Sequence, residues 1–64
     1  MTPDELVRAI FTLQEERSPD DDPGDITIDI EDDSALRAVI QKGQIIGAGA
    51  SIQEALEAAW AAIQ

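Results

Sequence analysis

Ile26-Thr27-Ile28-Asp29-Ile30-Glu31 alternates an isoleucine with a polar residue over three periods. A β-strand turns successive side chains to opposite faces. The pattern therefore sets Ile26, Ile28 and Ile30 on one face and Thr27, Asp29 and Glu31 on the other. A half-buried strand needs neighbours, and the residues that follow supply them. Asp32-Asp33-Ser34 reads as a turn. Residues 35–41 read as a second strand, with Leu36, Ala38 and Ile40 expected inward and Arg37, Val39 and Gln41 outward. That parity would bring Arg37 beside Asp29 or Glu31 as a cross-strand charge pair. Lys42-Gly43 marks a tight hairpin. Ile45 to Ala48 forms a short third strand, and Gly47 and Gly49 signal a bend, a bulge or a close backbone approach at its end.

Helices flank this meander on both sides. Upstream, Thr2 and Glu5 stand at capping-box spacing, with Pro3 at the first helical position. Leu6, Val7, Ile10, Phe11 and Leu13 recur at helical spacing, and the helix is expected to end near Glu15 or Glu16. Ser18-Pro19 then turns the chain out of helix. Downstream, Ser51-Ile52-Gln53-Glu54 reads as a second capping box. Ile52, Ala55, Leu56, Ala59, Trp60 and Ile63 share one stripe, and the small Ala55 and Ala59 let this helix sit close to its neighbour. The expected fold is α+β: an α-β-β-β-α chain with a three-stranded antiparallel sheet and two helices packed on one face. Its length of 64 residues allows one domain, 1–64, with a flexible acidic loop at 18–25 between the first helix and the first strand.

The charge is distributed unevenly. Fourteen acidic and four basic residues give a net charge of −10. Ten of those carboxylates fall between Glu15 and Asp33: Glu15, Glu16, Asp20, Asp21, Asp22, Asp25, Asp29, Glu31, Asp32 and Asp33, with Arg17 the single base among them. Direct binding to nucleic acid requires a basic footprint, and attraction to an anionic membrane requires the same. Neither partner is expected. A basic protein surface is, because charge complementarity favours both encounter and orientation. The amino-terminal Met1-Thr2-Pro3-Asp4-Glu5 is acidic where a signal peptide carries bases, so a cytoplasmic setting is expected.

The sequence lacks the usual materials of catalysis. It contains no histidine and no cysteine, which excludes Ser-His nucleophiles, thiol chemistry and imidazole- or thiolate-bound zinc. Gly47-Ala48-Gly49 ahead of Ser51 is too short for a dinucleotide fingerprint and has no Walker lysine. Asp29 and Glu31 share a strand face about 7 Å apart, a spacing open to paired carboxylates but more in keeping with a solvated sheet face. Asp20, Asp22 and Glu31 imitate three positions of a calcium loop, but Gly24 and Asp25 disagree with its centre. No enzyme activity, metal or cofactor is expected.

The stretch from Gly47 to Ile63 resembles the carboxy-terminal part of a double-stranded RNA-binding domain, in which a G-x-G-x-S segment enters an alanine-rich final helix. The α-β-β-β-α order is similar to that family too. The resemblance implies the fold more than the activity. The family follows its serine with a lysine pair and places another lysine one turn on, whereas Ile52, Gln53 and Leu56 stand here. The same segment also resembles small antitoxin-like domains of the HicB type, a kind of accessory domain common in phage and mobile elements.

These readings lead to a non-catalytic interaction or regulatory module whose acidic band binds a basic protein. One alternative is a nucleic-acid mimic that inhibits a DNA- or RNA-binding protein. A second alternative is a small homodimeric structural protein, with Leu56, Trp60 and Ile63 as its expected interface.

Overall fold

The computed structural model describes residues 1–30 and 36–64. The chain runs α1 (Pro3–Arg17), β1 (Ile26–Ile30), β2 (Arg37–Gln41), β3 (Gln44–Gly49) and α2 (Ile52–Ile63). The strands form an antiparallel sheet in the order β1-β2-β3, and both helices lie on one face of it. Element order and sheet match the general architecture of double-stranded RNA-binding domains.

Local chemistry accounts for most of the boundaries. At the start of α1, Thr2 Oγ1 accepts from the Glu5 N–H at 3.2 Å and Glu5 Oε1 accepts from the Thr2 N–H at 3.0 Å, a complete capping box. The helix continues to Arg17, a residue or two beyond the expected end, and the Ser18 N–H still donates to the Gln14 carbonyl. At the start of α2, Ser51 Oγ accepts from the Glu54 N–H at 3.1 Å. The return contact differs from a capping box: Glu54 Oε2 accepts from the Ala50 N–H, one residue before the cap. Between β2 and β3, Lys42 and Gly43 both have positive φ, 54° and 75°, as a two-residue type I′ hairpin requires.

The core sits between sheet and helices and is small. Leu6 and Ile10 from α1, Val39 from β2, and Ala55, Leu56 and Ala59 from α2 are fully buried together. Ile26, Ile28, Ile46, Val7, Trp60 and Ile63 pack around them while keeping some exposure. Trp60 thus reaches the core from its edge, whereas Phe11 is partly exposed outside that cluster.

The parity of β2 is the reverse of the one expected from sequence. The register pairs Ile28 with Val39 and Ile26 with Gln41, so Val39 and Gln41 face the helices along with the isoleucines of β1. Ala38 and Ile40 pair with Asp29 and Thr27 on the face away from the helices, where Ala38 is nonetheless fully buried, as expected, and Ile40 half-buried. The same register sets Arg37 opposite Ile30 and on the other side of the sheet from Asp29, against the expected pairing with that residue; Glu31, the other expected partner, lies outside the described residues. The physical reason lies in β3. Val39 pairs with Gly47 and Arg37 with Gly49, and both glycines lie under α2. A Cβ on Gly47 would stand 2.5 Å from the Ala59 nitrogen and 2.6 Å from the Ala55 carbonyl oxygen. One on Gly49 would stand 2.8 Å from the Ala55 nitrogen. Only the glycine-bearing side of β3 can accept the helix backbone this closely, and that side fixes which parity of β2 faces the helices. A bulge between Val39 and Ile40 adds Ile46 to β3, and Ile46 packs against the core.

Candidate acidic docking surface

The acidic band begins on the last turn of α1, where Glu15 and Glu16 are exposed. The chain then leaves the helix at Ser18, and Asp20, Asp21, Asp22 and Asp25 follow, all exposed, before β1 begins at Ile26. All six carboxylates are exposed along the segment that runs from the last turn of α1 to the start of β1. Asp29 is exposed too, but it belongs to the uncovered sheet face. Glu31, Asp32 and Asp33, together with the expected turn at 32–34, lie outside the described residues. Arg17, the single base within the band, donates through Nη1 to the Ile63 carbonyl at the end of α2.

The loop that carries the aspartates is tied to the fold at several points. The Asp21 N–H donates to the Ser18 carbonyl at 3.1 Å. Asp22 Oδ1 accepts from the Gly24 N–H at 3.0 Å, a local turn of the kind aspartate favours. Gly24 has φ +83°, a conformation that suits glycine, and a Cβ there would meet the Lys42 stem at 3.2 Å. The Gly24 carbonyl accepts from Gln41 Nε2 at 3.1 Å. Gln41, only 6 % exposed, also exchanges amide hydrogen bonds with Gln14 of α1, at 2.7 and 3.0 Å. One buried side chain on the central strand therefore joins α1, the sheet and the acidic loop. Sequence reasoning placed Gln41 on the outer face and missed this role. The available signal was its position two residues after Val39, directly before the hairpin.

Next to this junction lies an open cleft of about 430 Å³, with Gln14, Arg17, Ser18, Asp21, Lys42 and Ile63 among its walls. Its walls mix amides, one hydroxyl and opposed charges with the apolar Pro23, Ala62 and Ile63. Among the described residues, no three carboxylates gather as a group able to hold a metal ion. No helix among them is long and apolar enough to cross a membrane. Of the residues expected at a dimer interface, Leu56 is fully buried in the core of the single chain, whereas Trp60 and Ile63 keep part of their surface exposed. No known family profile, no curated protein sequence and no solved structure matches this chain.

Proposed function

We propose that the protein is a non-catalytic interaction module that docks on a basic protein surface in the cytoplasm. The observation that carries this reading is the exposure of all six of Glu15, Glu16, Asp20, Asp21, Asp22 and Asp25 between the end of α1 and the start of β1. Six carboxylates on so short a segment concentrate negative potential, which speeds encounter with a cationic partner and orients it. The Gln41–Gly24 bond supports the reading, because it gives that segment a fixed attachment to the body of the domain.

The test is a pull-down from the native host at low and at high salt, beside a variant carrying Asp20→Lys, Asp21→Lys and Asp22→Lys. A basic partner retained at low salt, released at high salt and lost with the triple variant is the expected result. Retention by the triple variant would remove the loop from the interface. Displacement of the protein from its partner by DNA or RNA would convert docking into mimicry of nucleic-acid phosphates. A stable homodimer with no captured partner would favour the structural alternative.

A further inference from the structure

We draw no further inference here: the strongest candidate, the open cleft between the ends of α1 and α2 and the β2–β3 hairpin, carries exposed charges of both signs and one buried side chain, Gln41, whose carboxamide is already hydrogen-bonded to Gln14 and Gly24, so nothing in the structure shows what the cleft would hold.

Discussion

The seam between β3 and α2 and the loop between α1 and β1 are built on opposite physical terms. In the seam, backbone lies on backbone: Gly47 and Gly49 meet Ala55 and Ala59 with no room for even a methyl group. In the loop, residues 18–25 have no buried side chain and are held by a few hydrogen bonds, to Ser18, Asp22 and Gln41. Close packing leaves almost no choice of residue, because any added volume strains rigid neighbours. Hydrogen-bonded loops constrain a few positions and free the rest. The acidic surplus sits where side chains are not needed for packing. The division explains how so small a core tolerates a charge of −10.

The comparison breaks most readily at Gly47. In Gly47→Ala, the new Cβ would contact helix backbone at 2.5 Å, and backbone cannot step aside as a flexible side chain can. Overpacking ordinarily costs about 1–3 kcal/mol, and this site should reach or pass about 3 kcal/mol. A domain of this length has on the order of 3–10 kcal/mol in total, so urea denaturation should show a greatly lowered midpoint or no cooperative transition. A loss below about 1 kcal/mol would mean that α2 can move off the sheet and that the seam is looser than drawn.

Gln41→Ala tests the link between the two regions. The substitution removes the amide pair with Gln14 and the bond to the Gly24 carbonyl, and leaves these half-buried partners unsatisfied. It should cost about 2 kcal/mol. Its particular mark is faster amide exchange at Gly24 and its neighbours, with protection in the β3–α2 seam falling only by the global loss. If exchange accelerates evenly across the chain, Gln41 is an ordinary core residue and the loop has other attachments.

What the sequence made legible divides along the same line. Caps, hairpin and strand alternation are local events, and Thr2, Ser51, Lys42-Gly43 and Ile26–Ile30 announce them through neighbours within four residues. The facing of β2 is not local. Both of its parities hold apolar residues, Leu36, Ala38 and Ile40 on one side and Val39 on the other, so hydrophobic count favours the side that ends up turned away from the helices. The deciding contact is α2 on Gly47 and Gly49, which no period within β2 can encode. Gln41 was hidden for the same reason. In the acidic band, the exposure of Glu15 to Asp25 was readable from composition and turn residues. The anchoring of that stretch through Gly24 depends on the register and was not.

The smallest effect concerns Glu5, a carboxylate that serves the rigid part of the molecule rather than the acidic band. The Thr2 backbone N–H, and after it the Thr2 hydroxyl, holds the Glu5 carboxyl below the usual glutamate value. A group whose folded pKa is depressed lends stability that is fully present above its unfolded pKa and disappears as pH falls through the folded one. Glu5 should therefore contribute a shallow acid-side loss of stability, confined to the interval between the ordinary glutamate range and its lowered folded value. Glu5→Gln keeps an oxygen for the Thr2 N–H but carries no charge and does not titrate. Urea midpoints measured down an acid series should show the wild type more stable above that interval, with the two proteins converging below it. Parallel curves throughout would show that the Thr2–Glu5 box acts through neutral hydrogen bonding alone.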